Sequence, residues 1–320
     1  MEVDREILSA VITGPTGALG SALCAELANN NVEVYAVCRP GSSRIKNIKT
    51  DKRVHLIELD ISELNRLPSI LHAEDAHINQ VDAFFHFAWT NTIGSGRNDM
   101  DAQIANIGKT IEAVHVANDL GCKVFLGAGS QAEYGRHNTP LKPDTPCFPD
   151  NGYGMAKLCA GEMSRVECQK YGIDHIWMRI LSIYGPGDSE KTLVSTVIQK
   201  LRRKEHVSLT AGEQIWDYLY SGDAARAFRL AAEHGRSGAI YPLGSGNGMP
   251  LKKYINAIGQ MFHADSALGF GEIPYSDKQV KYLVADTKSL SSDTGWRPEV
   301  RFNNGIERIL EDLGKNDSVG

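Results

Sequence analysis

The sequence predicts an α/β fold, a doubly wound parallel sheet with a smaller, interleaved C-terminal lobe. Short β-branched runs alternate with helical patterns through the first half of the chain, the pattern of β-α-β units whose sheet carries helices on both faces. A glycine-rich loop, Thr13-Gly14-Pro15-Thr16-Gly17-Ala18-Leu19-Gly20, sits between the first such run and the first helical stretch. After Arg179 the alternation loosens into turn clusters and shorter elements, which marks a second lobe.

In chain order, residues 8–12, 32–37, 54–59, 83–87, 123–126 and 175–179 read as strands, and 21–29, 106–119 and 153–171 as helices. Ser182-Ile183-Tyr184-Gly185-Pro186-Gly187 is a turn cluster, and a helix with basic residues follows at 193–204. Residues 219–234 return to a strand-then-helix pattern, and a second glycine cluster from Gly244 precedes a helix at 251–262. There is neither an internal repeat nor a flexible linker.

Composition excludes several classes. At 320 residues and 35.0 kDa the chain has ample length for a buried core. A net charge of −5 gives no basic footprint for a nucleic-acid polymer. No apolar run is long enough to span a membrane, and the doubly charged start Met1-Glu2-Val3-Asp4-Arg5-Glu6 is unlike a signal peptide, so the expected location is cytoplasmic. The six cysteines (Cys24, Cys38, Cys122, Cys147, Cys159, Cys168) include no C-x-x-C pair and no zinc-ligand spacing, so no metal is expected.

The glycine loop follows a strand directly and opens a helix, the context of a Rossmann-type dinucleotide site. Gly14 allows the tight turn, Gly17 lets a pyrophosphate approach the backbone, and Gly20 permits close packing of helix on sheet. The free N–H groups and positive dipole end of the helix then face the phosphates. Cofactor choice falls to the end of the second strand, Val34-Tyr35-Ala36-Val37-Cys38-Arg39-Pro40-Gly41-Ser42-Ser43-Arg44. It carries no carboxylate for a ribose 2′-hydroxyl, while Arg39, Ser43 and Arg44 offer donors to a 2′-phosphate. NADP(H) is therefore favoured, with NAD(H) as the alternative. On this division residues 1–180 are the NAD(P)-binding domain, 217–243 return to it, and 181–216 with 244–320 form the substrate-binding lobe.

Tyr153 and Lys157 are spaced i, i+4 in Asn151-Gly152-Tyr153-Gly154-Met155-Ala156-Lys157, so a helix presents both on one face. A phenol with a pKa of about 10 becomes a usable proton donor when a fixed cation stabilises its phenolate.

The glycine loop, Asp60 after the third strand, Ser130 after a later one and the Tyr153/Lys157 pair occur in that order. Together they resemble the extended short-chain dehydrogenase/reductase family, in particular its nucleotide-sugar epimerase, dehydratase and ketoreductase branch. Leu59-Asp60-Ile61 resembles its acidic adenine contact, and His86-Phe87-Ala88-Trp89 its segment beneath the pyrophosphate and ribose. The Tyr184-Gly185-Pro186-Gly187 turn, the Trp216-to-Ala224 segment and Gly295-Trp296-Arg297-Pro298 resemble later family signposts. The resemblance implies that Gly14, Thr16, Gly17, Ala18, Leu19, Gly20, Asp60, Ile61, Phe87, Ala88 and Trp89 bind cofactor. It implies that Tyr153 is the general acid or base, that Lys157 lowers its pKa and holds the nicotinamide ribose, and that Ser130 hydrogen-bonds the substrate oxygen.

Within the family, 4,6-dehydratases carry Thr-Asp-Glu where this chain has Ser130-Gln131-Ala132, which lack the carboxyl groups that elimination needs. Glu133 should face elsewhere and Cys159 reads as a packed core thiol, with a dehydratase that departs from the family pattern by using Glu133 or Cys159 as a lesser alternative. The implied function is an NADPH-dependent ketoreductase acting on a 4-keto-6-deoxy nucleotide sugar. The alternatives are an NAD-dependent nucleotide-sugar 4-epimerase and a non-catalytic NADP-binding sensor. Trp89, Gln131, Tyr184, Trp216 and Tyr218 are the candidate substrate contacts, with Lys191, Arg202, Arg203 and Lys204 as cations for a diphosphate or as a solvated surface. Ser182 replaces the asparagine of many family members. The family's homodimer would join the helices near 106–119 and 153–171, although Ile107, Ile111, Val114 and Met163 could equally serve the monomer's core.

Overall fold

The structure, a computed structural model, describes residues 4–74, 80–277 and 279–317. Residues 1–3 and 318–320, the expected ends of domain and lobe, lie outside the described residues. The chain first lays down β1 (Ser9–Thr13), β2 (Glu33–Cys38), β3 (Val54–Glu58), β4 (Ala83–His86), β5 (Val124–Ser130) and β6 (Asp174–Ile180). It leaves this sheet for the short strands β7 (Ser182–Tyr184), β8 (Val207–Leu209), β9 (Ile215–Trp216) and β10 (Tyr218–Tyr220), then returns with β11 (Ala239–Leu243). The seven-stranded sheet is parallel throughout, in the order β11-β6-β5-β4-β1-β2-β3. This is the Rossmann-type arrangement.

Helices cover both faces. Leu23 and Leu27 of α1 (Ala18–Asn29) pack with Phe228 and Ala231 of α6 (Ser221–His234) on one side. On the other lie Leu71 of α2 (Leu67–Glu74), Val114 and Ala117 of α3 (Met100–Asp119) and Cys168 of α4 (Gly152–Tyr171). Burial on both faces explains why strands such as Ala83–His86 are buried at every position instead of alternating.

A third cluster builds the C-terminal lobe from α5 (Leu193–Arg202), α7 (Leu251–Met261) and α9 (Phe302–Asp317), with β12 (Met249–Pro250), β13 (Leu268–Phe270) and β14 (Tyr282–Leu283) in its small sheets; α8 (Lys288–Thr294) packs back on α6. Asp217, wholly buried, ties the lobe together: its carboxylate accepts from the backbone N–H groups of Ser245 (2.7 Å), Gly246 (3.0 Å) and Ala285 (3.1 Å). Among the described residues no helix is long and apolar enough to cross a membrane.

Several boundaries shift from the expectation, the strand expected at 123–126 running on to Ser130 and the first helix starting at Ala18, and two further differences are informative. The helix expected at 106–119 starts at Met100, because Asp99 caps it by accepting from the N–H of Ala102 at 3.2 Å, and its polar first turn hides the apolar period. Ser182–Tyr184, expected as part of a turn, is a strand paired with Tyr218–Tyr220, a tertiary pairing that local composition does not announce. The topology fixes where a site can form. From β1 the chain runs to β2 and β3 on one side and to β4 and β5 on the other, so a crevice opens at the carboxyl ends of β1 and β4, where Thr13 and His86 are in register.

Candidate active site

The glycine loop occupies that crevice. Gly14 has φ +71°, and a Cβ there would lie 2.9 Å from the backbone nitrogen of Ala88, so only glycine lets the turn close against the end of β4. Gly17 has nothing within 4 Å of an added Cβ, which leaves open space over the backbone. It is also the N-cap of α1 without any side-chain cap, so the first N–H groups of that helix remain available. A backbone cradle with open space above it and an uncapped helix N-terminus fits a dinucleotide pyrophosphate.

Gly14, Gly17, Ala18, Leu19, Gly20, Phe87, Trp89, Ser130, Tyr153 and Lys157 all line one cavity of about 310 Å³, as do Asp188 and Ile180. The remaining sequence candidates lie around it. Thr16 offers its carbonyl to the Asn47 side chain at 3.0 Å. Ala88 donates its N–H to Thr13 Oγ1 at 3.3 Å. Asp60 accepts from the backbone N–H and hydroxyl of Ser62 at 2.9 and 2.7 Å. Those bonds, helped by the Lys109 and Arg39 cations, hold its carboxyl below the usual range. Ile61 packs against the core under α2 and α3. Arg39, Ser43 and Arg44 are exposed on the loop after β2, and Arg44 donates to the Gly187 carbonyl at 2.9 Å, bridging that loop to the β7–α5 turn.

The catalytic candidates converge because β5 ends at Ser130 while Asn151 caps α4, its side chain accepting from the N–H of Gly154 at 3.0 Å. That start places Tyr153 and Lys157 on the turns facing the crevice. Lys157 is buried; its ammonium donates to the Ala128 carbonyl at 2.6 Å and lies 3.6 Å from the centre of a Trp89 ring. Burial pushes its pKa down to about 7, with Glu133 opposing. Burial pushes the Tyr153 phenol up, while the Ser130 hydroxyl and the Arg97 guanidinium pull it down. His86 is neutral, driven to about 3 by burial and by Lys157, and bridges Thr13 and Thr110.

Four expectations need correction or qualification. Tyr184 is 1% exposed and donates its hydroxyl to the Phe302 carbonyl at 3.1 Å, so it is lobe core and presents no face to a substrate. Cys159 is exposed on α4, with its thiol 3.4 Å from the Met163 sulfur, and is not a core thiol. Glu133 does face away from the crevice, but as a buried anchor: it accepts from the Ser130 N–H at 2.6 Å, from Trp177 Nε1 at 3.0 Å and from Arg179 Nε at 2.6 Å. Lys191, Arg202, Arg203 and Lys204 are absent from the lining of the lobe's cavity.

That second cavity, about 530 Å³, includes Trp216, Tyr218, Thr192, Leu193, Gln214 and Phe270, and among the described residues no charged side chain lines it. Leu181 and Ile183 line both cavities, which therefore adjoin. Trp216 Nε1 donates to Ser182 Oγ at 2.9 Å. Gln131 faces a third, polar space of about 260 Å³ beside Arg97 and Arg136. Two site residues went unseen in sequence. Asp188 directly follows the Gly185-Pro186-Gly187 turn, a position that could have drawn notice, whereas Arg97 reaches Tyr153 only through tertiary contact.

A family model described as "NAD dependent epimerase/dehydratase family" matches residues 10–244. The chain is 23% identical over 316 residues to CDP-abequose synthase of Salmonella typhimurium, covering 95% of this chain and 97% of that one. It is 23% identical over 314 residues to dTDP-4-dehydro-6-deoxyglucose reductase of Escherichia coli, covering 95% and 96%. In fold it resembles UDP-glucose 4-epimerase of Thermotoga maritima, solved with UDP-glucose, at a TM-score of 0.83 and 22% identity, covering 96% of this chain and 99% of that one.

Proposed function

The chain belongs to the NAD-dependent epimerase/dehydratase family, as an NAD(P)-dependent enzyme of the extended short-chain dehydrogenase/reductase type, and on that footing we propose that it reduces a 4-keto-6-deoxy nucleotide sugar with NADPH. The observation that carries this is the convergence of Ser130, Tyr153, Lys157 and the glycine loop on one cavity. When bound there, the nicotinamide supplies hydride to the keto carbon. Tyr153 gives its phenolic proton to the keto oxygen, and Ser130 steadies the charge that develops on that oxygen. Lys157, held by Ala128 and Trp89, orients the ribose side of the cofactor site. Gln131 and Ala132 supply no carboxyl for elimination, which argues for reduction over dehydration.

Arg39 and Ser43 would receive a 2′-phosphate. The aromatic-walled cavity of the lobe would take the nucleoside, with Trp216 and Tyr218 as walls, and the first-turn N–H groups of α5 beside Thr192 and Leu193 would meet the diphosphate. The similarity to a dTDP-4-dehydro-6-deoxyglucose reductase over nearly the whole chain supports this choice. Incubation with NADPH and dTDP-4-keto-6-deoxyglucose should consume cofactor. Interconversion of UDP-hexoses by an enzyme that retains NAD through purification, without NADPH consumption, would replace it with the epimerase.

A homodimer through α3 and α4 is part of the same proposal. Met100 and Ile104 of α3 and Met155, Met163 and Val166 of α4 are large apolar side chains left exposed on these two packed helices. Val114 belongs to the monomer's own core. Light scattering should give twice the monomer mass, reduced to one mass by Ile104→Glu.

A further inference from the structure

Arg97 sits in a short segment, Gly94–Asn98, wedged between the beginnings of α3 and α4. Three contacts hold it there. Gln103 of α3 donates to the Gly96 carbonyl at 3.1 Å, and Asn98 accepts from the N–H of Gly152 at 2.9 Å. Gly152 has no Cβ, and one would lie 3.0 Å from the Arg97 carbonyl and 2.9 Å from the Met100 sulfur, so the close approach needs glycine at that position.

The segment lays the Arg97 guanidinium 4.7 Å from the centre of the Tyr153 ring. Its Nε is buried without a hydrogen-bond partner, and among the described residues no carboxylate pairs with it. Asp150, the acid in the adjoining polar cavity, is already engaged by Arg136 at 3.0 Å. A partly buried cation with no counter-anion is costly, and the face of an aromatic ring compensates only in part. A phenolate at Tyr153 would complete the compensation. Lys157, meanwhile, points its ammonium at Ala128 and Trp89 and stands 5.9 Å from the Tyr153 ring centre.

We propose that Arg97 is a positioning residue for the proton transfer, the cation that stabilises the Tyr153 phenolate from its ring face. The proposal rests on Tyr153 being the proton donor. In the step, the Tyr153 O–H bond breaks, an O–H bond forms on the substrate oxygen, and the phenolate left behind faces Arg97. The other groups around Tyr153 are Lys157 on its own helix, Glu133 after β5 with its partner Arg179 on β6, Asp188 across the cavity and neutral His86 on β4. Burial opposes ionisation most strongly and Glu133 adds to it, while the Ser130 hydroxyl and then Arg97 favour it.

The test replaces Arg97 with Met, Gln and Lys and follows tyrosinate difference absorbance in the NADP⁺-bound enzyme, with Tyr153→Phe as the subtraction reference. Tyr153 ionisation should rise by about one pH unit or more in Arg97→Met and Arg97→Gln, and by clearly less in Arg97→Lys, which keeps the charge. The alkaline limb of kcat/KM for reduction should move upward with it, while KM for NADPH changes by less than about twofold. An unmoved ionisation in the Met and Gln variants, or a Lys variant that behaves like Met, overturns the assignment. Because ionisation is read without substrate, an unmoved titration overturns it even where Tyr153→Phe abolishes turnover, and a moved one supports it even if ketosugar reduction proves to be the wrong reaction.

Discussion

The Glu133 carboxylate accepts the backbone N–H of Ser130 at 2.6 Å, so the residue that would polarise the substrate oxygen is held by a buried acid three positions later. Arg179 donates to the other carboxylate oxygen at 2.6 Å, and both partners are almost wholly buried. Glu133→Ala leaves the Arg179 charge unpaired in the core and should cost about 3–5 kcal/mol in denaturant unfolding. Glu133→Gln keeps hydrogen-bonding groups in place and should cost clearly less. Equal losses would mean that the charge, which both variants remove, carries the whole cost and that the hydrogen bonds add nothing.

Lys157 titrates in the wrong place for a surface lysine, at about 7 instead of 10.5. Between those values the unfolded chain binds a proton that the folded chain does not, so wild-type stability should rise with pH across this window, by at most about 1.4 kcal/mol per pH unit, and lose the gain below about pH 7. The Lys157→Met variant should lack that slope, which should therefore appear in full in the wild-type-minus-variant difference measured by urea unfolding. A flat difference would show that the lysine is solvated.

Gly14 and Gly17 should separate folding from cofactor binding. Gly14→Ala places a methyl 2.9 Å from Ala88 N at positive φ and should lower the melting temperature as well as abolish NADPH binding. Gly17→Ala meets nothing in the protein, so it should fold normally and yet weaken NADPH at least about tenfold, by filling the space a phosphate needs. Calorimetric titration beside a thermal melt distinguishes the two.

Arg39→Ala should weaken NADPH far more than NADH in equilibrium binding, since its exposed guanidinium at the end of β2 would meet only the 2′-phosphate. Equal losses would remove the basis for preferring NADPH.

Much of this was legible in sequence because local chemistry dictated it. Gly14 is needed where a positive φ meets a neighbouring backbone, and the Tyr153/Lys157 spacing is fixed once Asn151 caps the helix. The parallel sheet followed from apolar runs too short to be helices. What stayed hidden was set by partners distant in sequence. Tyr184 looks like any aromatic near a turn until α9 and its Phe302 carbonyl cover it, and Arg97 belongs to no motif, reaching Tyr153 through the meeting of two helix starts. The anchoring of Ser130 by Glu133 depends on Trp177 and Arg179, more than forty residues away, donating to the same carboxylate.

The central claim is that Tyr153 protonates a keto oxygen during NADPH oxidation. Single-turnover oxidation of NADPH by dTDP-4-keto-6-deoxyglucose tests it most directly, comparing wild type with Tyr153→Phe at matched cofactor occupancy. The account predicts loss of at least about a hundredfold in the chemical step with NADPH affinity retained. Unchanged turnover in the phenylalanine variant would contradict it.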